Sequence, residues 1–263
     1  MGALAMDSHT KNIIKSRVKE ILKLDSKVSD LKKAMDQGDV SPFLIELFGK
    51  STSLKIKLGQ SIQTTMGMSF YEQTCQTLGE SVGYTIELQE KVKGFISEDV
   101  NRYLTMCDDV NYKPNRTKEL SDLKSIVGSG PEQEYPDSTV DVYITKPDGT
   151  EILIDITTVK PNKKEFRVLK EKLLRWTAMR WSQQPNVDVQ AYIAFPYNPE
   201  SVELDGTKYS RHQNYYDRKD VLVGEELWRL VSDSKVGIVD LVTIFEELGD
   251  ELSSEIESTI NDL

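Results

Sequence analysis

Histidine is nearly absent from this 263-residue chain: His9 and His212 are the two that occur. Two isolated imidazoles cannot build a histidine metal cluster or an HNH-type site, and they leave little for histidine-based phosphoryl transfer. Cysteine is equally scarce. Cys75 and Cys107 have no metal-ligand spacing, and a lone disulfide is not expected. The phosphate-cradling pattern G-x-x-x-x-G-K-[ST] is missing, which argues against ATP-driven translocation. No apolar run approaches the roughly 20 residues that span a bilayer, and no stretch has the order of a secretory signal. The expectation is a cytoplasmic protein with no membrane partner. The opening "MGALA" reads as a remnant of expression cloning, with the natural start at Met6.

The net charge of −10 argues superficially against a polyanionic partner. Its distribution reverses that reading. Residues 240–263 hold eight acids and no Lys or Arg, so the rest of the chain is close to neutral. Residues 160–175 carry seven bases against two acids. Binding to a polyanion depends on such a local field rather than on the total.

Apolar positions at helical spacing (Ile14, Val18, Ile21, Leu22, Val28, Leu31) predict one long helix over residues 10–36. Residues 42–63 and 69–97 also read mainly as helix, and 98–138 as polar and irregular, with "GSGPEQEYPDS" a loop. Strand signals follow at 139–145, 151–159 and 188–195. Between the last two lies a helix over about 162–183, with Asn162 and Glu165 forming a capping box. From 224 the chain is helical again. This order predicts a single α/β domain over 6–263: a mixed sheet with flanking helices, extended by helical N- and C-terminal parts.

The stretch "VDVYITKPDGTEILIDITT" (140–158) raises a specific question. "KPDGT" is a hairpin signal: proline presets φ, aspartate suits the next position, and glycine takes the left-handed place. A three-residue loop at 147–149 sets Asp141 opposite Asp155, on a face shared with Tyr143, Leu153 and Thr157. Like charges directly across a ladder destabilise it. The pair needs a shared proton, a nearby cation or a divalent metal, unless it is a solvated edge that merely tolerates them. Carboxylates are the ligands Mg²⁺ prefers.

An acid, a hairpin turn and a second acid near the end of the next strand resemble the PD-(D/E)xK nuclease motif. The likeness extends further. "MDSHTKNIIKSRVKEIL" (6–22), "TTMGMSFYEQTCQTLG" (64–79), residues 140–166 with "KPNK", "IAFPYNP" (193–199) and "GEELW" (224–228) resemble, in order, the TdeIII family of Type II restriction endonucleases. The resemblance implies a restriction-endonuclease-like core and Mg²⁺- or Mn²⁺-dependent cleavage of double-stranded DNA at a short specific sequence, by a homodimer. It implies metal ligation by Asp141, Asp155 and the Ile156 backbone carbonyl. One departure stands out: where the family has lysine two residues after the second acid, this chain has Thr157. A lysine there would orient the attacking water and stabilise phosphoryl charge. Lys160 is the nearest candidate substitute, then Lys163. Glu72 in "SFYEQ" matches a family glutamate and is a candidate third acid.

For DNA contact, the lysines and arginines of the 162–183 helix offer Lys163, Lys164 and Arg167, although the bases are spread around it. The segment "KYSRHQNYYDRK" (208–219) offers Arg211, Asn214 and Arg218, of the types that read base edges. Trp176, Trp181 and Trp228 read as core. Two other readings stay open: a DNA-binding protein of the same fold that has lost catalysis through Thr157, and a helical interaction module built on the acidic C-terminal segment and the N-terminal helix.

Overall fold

The computed structural model describes residues 8–109, 111–157, 160–201 and 209–261. Its contacts divide the chain into two units, residues 1–77 with 239–263, and residues 78–238. The first five residues, read above as an appended leader, lie outside the described residues.

The first unit is helical. The single N-terminal helix expected from periodicity is two, α1 (Ser8–Leu22) and α2 (Leu24–Asp36), interrupted where Lys23 takes φ +53°. A side-chain-bearing residue in the left-handed region ends a helix as a C-terminal cap would. The apolar stripe is nonetheless the one read from the sequence: Ile14, Val18, Ile21, Leu22, Val28 and Leu31 are buried. The segment 42–63 is likewise split into α3 (Pro42–Phe48) and α4 (Lys50–Thr65) at Gly49, φ +79°. A π-turn over Met66–Phe70 leads into α5 (Tyr71–Ser81). The acidic C-terminal segment forms the helix Ile238–Asn261, and it is partly neutralised at home. Lys11 and Lys15 pair with Glu247, and Lys15 also pairs with Glu251.

The second unit carries a five-stranded sheet in sequential order among the described residues: β1 (Thr85–Gly94), β2 (Gln133–Thr145), β3 (Glu151–Ile156), β4 (Val189–Phe195) and β5 (Val221–Val223). The first three strands are antiparallel, and β3, β4 and β5 are parallel. The mixed α/β architecture is therefore as expected. The parallel β3–β4 pair requires a crossover, which α8 (Lys163–Gln183) supplies. Its capping box is formed: the Asn162 side chain accepts from the Lys164 and Glu165 amides, and Glu165 accepts from the Asn162 N–H. Phe166, Leu173, Trp176 and Met179 of α8 are fully or nearly fully buried against the sheet.

Two regions depart from the sequence reading. Residues 85–94, expected to be helix, are β1. Their Glu- and Lys-rich composition suits a helix, but it also suits the sheet edge that they occupy, where alternate residues face solvent. Residues 98–138, expected to be irregular, contain α6 (Glu98–Cys107), α7 (Arg116–Ile126) and the start of β2. Ser97 and Asn115 cap the two helices, accepting from the Val100 and Lys118 amides.

A buried ion cluster joins α7, α8 and the turn before β5. Lys170 Nζ lies 2.6 Å from Asp220 Oδ2 and 2.6 Å from Glu119 Oε2. Arg116 donates to Asp220 Oδ1 at 3.0 Å and to the Ala191 carbonyl at 2.8 Å.

Gly94, at the end of β1, passes so close to α8 that an added Cβ would lie 2.3 Å from the Met179 carbonyl oxygen. The obstacle is backbone and cannot swing aside. Gly94→Ala should cost about 1–3 kcal/mol in urea denaturation. Gly59 is different: it is exposed inside α4, with open space around it. Gly59→Ala should stabilise by up to about 1 kcal/mol.

Candidate active site

The hairpin turn is the one its chemistry predicts. Gly149 has φ +86° and donates to the Lys146 carbonyl, while Lys146 donates to the Thr150 carbonyl. The ladder runs from Thr145 paired with Glu151 to Val142 paired with Ile154, and the next positions in that register are Asp141 and Asp155. Here side chains replace the backbone ladder. Asp141 Oδ2 accepts from the Ile156 N–H at 2.7 Å, and its Oδ1 accepts from Gln89 Nε2 at 3.0 Å. Gln89 reaches it from β1 with a left-handed backbone, φ +53°. That conformation costs on the order of 1–3 kcal/mol in a residue with a side chain, and such strain gathers at functional sites.

Asp155 is 7% exposed. Burial pushes its pKa above the ordinary carboxylate value; Lys172 pulls it back down, and neighbouring Asp141 pushes it up again. Lys172 comes from the middle of α8 and donates Nζ directly to Asp155 Oδ2. Its ammonium also lies 4.9 Å from the ring centre of fully buried Trp176. Further along the same strand face, Arg180 forks onto Glu151 with two 2.7 Å hydrogen bonds.

Asp155, Ile156 and Thr157 line a cleft of about 460 Å³ together with Asn162, Lys164, Glu165 and Val168. Thr157 is half-buried and donates its N–H to the Ala194 carbonyl at 2.9 Å, which extends the β3–β4 pairing. It brings no charge to the cleft. Lys160 is exposed beyond Thr158 and Val159, which lie outside the described residues. Lys163 and Lys164 are exposed on the first turn of α8. Arg167 instead turns to Asp108, donating to its carbonyl at 3.2 Å. Arg211 donates to the Pro161 carbonyl, and Asn214 is exposed on a short 3₁₀ turn. Arg218 forks onto both oxygens of Glu226. Glu72 is half-buried on α5, within the first unit. Trp176, Trp181 and Trp228 are core residues. Lys208 lies outside the described residues.

Among the described residues, no group of three His, Cys, Asp or Glu side chains is placed to hold a metal. Two adjacent carboxylates, one buried and crowded by the other, still fit Mg²⁺. That ion is commonly held by one or two carboxylates, with water and phosphate oxygens completing its shell. Two residues of this cluster escaped the sequence reading. Gln89 lay in a segment read as helix, and Lys172 was one of many bases on α8, with nothing in the sequence to aim it at Asp155.

The raised pKa of Asp155 has a defined sign in stability. As pH rises, the unfolded chain loses this proton first, so ionised Asp155 lowers stability above its folded pKa. The penalty disappears as pH falls below the ordinary carboxylate value. Asp155→Asn should therefore raise the melting temperature of the metal-free protein near pH 7, and the gain should shrink towards zero at about pH 4. Calorimetric melts of both proteins across that range check this; a lower melting temperature at neutral pH would show that the Lys172 pairing outweighs the burial cost.

Comparison with known proteins extends these observations to most of the chain. The family described as Type II restriction endonuclease, HinfI, matches residues 6–249. The Type II restriction enzyme MjaII of Methanocaldococcus jannaschii is 26% identical over 91% of this chain and 68% of its own length. Type II restriction enzymes HgiCII and HgiEI of Herpetosiphon aurantiacus are 25% and 26% identical, covering 83% and 91% of this chain and 81% and 87% of their own. The matched family is HinfI rather than TdeIII, so the resemblance read from the sequence holds at the level of Type II restriction endonucleases. The paired acids, the mixed sheet and this match along most of the chain lead to one conclusion: the chain belongs to the HinfI family of Type II restriction endonucleases, a family of site-specific deoxyribonucleases.

Proposed function

We propose that this chain hydrolyses phosphodiester bonds of double-stranded DNA at a short specific sequence, using Mg²⁺ or Mn²⁺, as a cytoplasmic homodimer in which residues 6–263 act as one nuclease domain. The observation that carries this reading is the carboxylate pair. Asp155 is buried beside Asp141 on the wall of an open cleft, where burial and the neighbouring carboxylate keep its charge costly even with Lys172 paired to it. Within this reading Asp141, Asp155 and the Ile156 carbonyl hold the metal. A divalent ion there supplies Lewis acidity towards the phosphoryl oxygens and lowers the pKa of water. Gln89 and the Ile156 N–H orient Asp141, so that its carboxylate is fixed before the metal arrives. Glu72 and Lys160 remain candidates for a third acid and a further cation. A closer kinship to TdeIII enzymes also belongs to this proposal, carried by the "KPNK" and "PYNP" segments.

A second reading is a DNA-binding protein of the same fold without catalysis. Thr157 favours it, because the position that carries the family lysine is uncharged. Plasmid cleavage in Mg²⁺ or Mn²⁺, set beside DNA binding in Ca²⁺, separates the two.

Asp141→Asn and Asp155→Asn should each weaken Mg²⁺ binding in calorimetry. Each should slow cleavage at least about a hundredfold, the scale of losing one preorganised charge at a reacting centre. Unchanged metal affinity in both variants would move the metal site elsewhere.

For DNA contact, Lys163 and Lys164 are the favoured phosphate partners, being exposed beside the cleft at the start of α8. Lys163→Ala and Lys164→Ala should each weaken binding about equally for specific and unrelated DNA. Each should reduce the slope of log affinity against log salt by about 1. Fluorescence anisotropy over a salt series measures both effects, and an unchanged slope would remove that lysine from the DNA interface.

A further inference from the structure

The motif lysine is missing, yet the acid pair does not lack an ammonium group. Lys172 arrives from α8 rather than from β3, and its Nζ meets Asp155 directly. We propose that Lys172 is the catalytic lysine of this protein, standing in for the one absent at position 157. The inference rests on the endonuclease reading above.

Three observations carry it beyond an ordinary ion pair. The first is position. Val168 borders both the cleft that holds Asp155 and Thr157 and a second cleft, of about 160 Å³, that is lined by Lys172 and Arg175. The Asp155–Lys172 pair therefore lies where the two clefts adjoin. The second is freedom. Lys172 is 20% exposed at its side chain, whereas Lys170, two residues earlier, is 4% exposed and locked between two carboxylates. The third is chemistry. A lysine stem is flexible and its ammonium is a compact charge, so it can leave one oxygen anion for another nearby. Trp176 supports the stem's end through its ring face while leaving that freedom.

In the free protein Lys172 neutralises Asp155. With a divalent cation held by Asp155, Lys172 would be free to turn from that carboxylate to the scissile phosphate. In hydrolysis a water oxygen bonds to phosphorus and gives up a proton to solvent, one phosphorus–oxygen ester bond breaks, and the leaving oxygen takes a proton from solvent. Lys172 stays protonated throughout and stabilises the charge that builds on the phosphoryl oxygens. Thr157 then needs no charge, and Lys160 and Lys163 are free to serve as phosphate contacts.

The test uses the full chain, Lys172→Met, Thr157→Lys and the double variant, with two readouts. The first is Mg²⁺ affinity by calorimetry without DNA. Because Lys172 competes with the metal for Asp155, Lys172→Met should tighten Mg²⁺ binding several-fold. The second is the single-turnover rate of plasmid cleavage at saturating Mg²⁺. Lys172→Met should lose about 10²–10³-fold, and adding Thr157→Lys to it should restore most of that loss. Thr157→Lys alone should raise the rate no more than a few-fold, a measurement that stands even if Lys172→Met does not fold. Wild-type cleavage by folded Lys172→Met would overturn the proposal. So would an inactive parent protein that Thr157→Lys awakens, although that result would uphold the endonuclease reading. No cleavage by any of the four proteins, with DNA binding in Ca²⁺ intact, would overturn the endonuclease reading and this inference with it.

Discussion

A single buried ammonium sets the position of the helix on which the site depends. Lys170 is 3% exposed and lies between Glu119 of α7 and Asp220 of the turn before β5. Charges taken this far from water are tolerated only when paired, and removing one partner of such a group typically costs about 3–5 kcal/mol. The cluster therefore resists rotation or sliding of α8. Residues 170 and 172 project from nearly opposite sides of a helix with 3.6 residues per turn. Fixing Lys170 among the acids of α7 and the turn consequently aims Lys172 at Asp155. Arg180, two further turns along, meets Glu151 on the same strand. One helix thus supplies a cation to both ends of β3.

The hairpin contributes the opposite charge, and its strain is as informative as its register. Two carboxylates in one strand register are a liability that hydrophobic packing cannot remove. The protein manages it with unlike devices. Asp141 is held by neutral donors, an amide side chain and a backbone N–H, while Asp155 is held by a charge. The asymmetry matters chemically. The neutrally held carboxylate keeps its full attraction for a metal, and the charge-held one is protected until something displaces the lysine.

How much of this was legible beforehand followed the range of the interactions. The hairpin register could be read because Pro147, Asp148 and Gly149 fix it locally, and the start of α8 could be read because its capping box spans four residues. The strand β1 could not. An edge strand with glutamates and lysines facing water has the composition of an exposed helix, and what decides between them is the neighbouring β2 backbone. Helices α6 and α7 were missed because their polar surfaces obscure short apolar stripes, although Ser97 and Asn115 mark where they start. The paired acids were visible as residue types at a spacing. Gln89 and Lys172 were not, since the first depends on a strained φ and the second on how a helix is rotated against a sheet seventeen residues away along the chain.

The left-handed backbone of Gln89 has an effect outside the site. β1 lies at the end of the strand order, where a straight ladder of free amides and carbonyls invites a strand from another molecule. Two irregularities break that ladder: the left-handed backbone of Gln89, between Leu88 and Glu90, and a register shift between Lys91 and Lys93. Together with the charged side chains between them, these breaks leave no long flat stretch for a stranger to dock against. The distortion that lets Gln89 hold Asp141 also keeps this sheet edge irregular, so a substitution that relaxed Gln89 into regular strand geometry would release that carboxylate and straighten the edge.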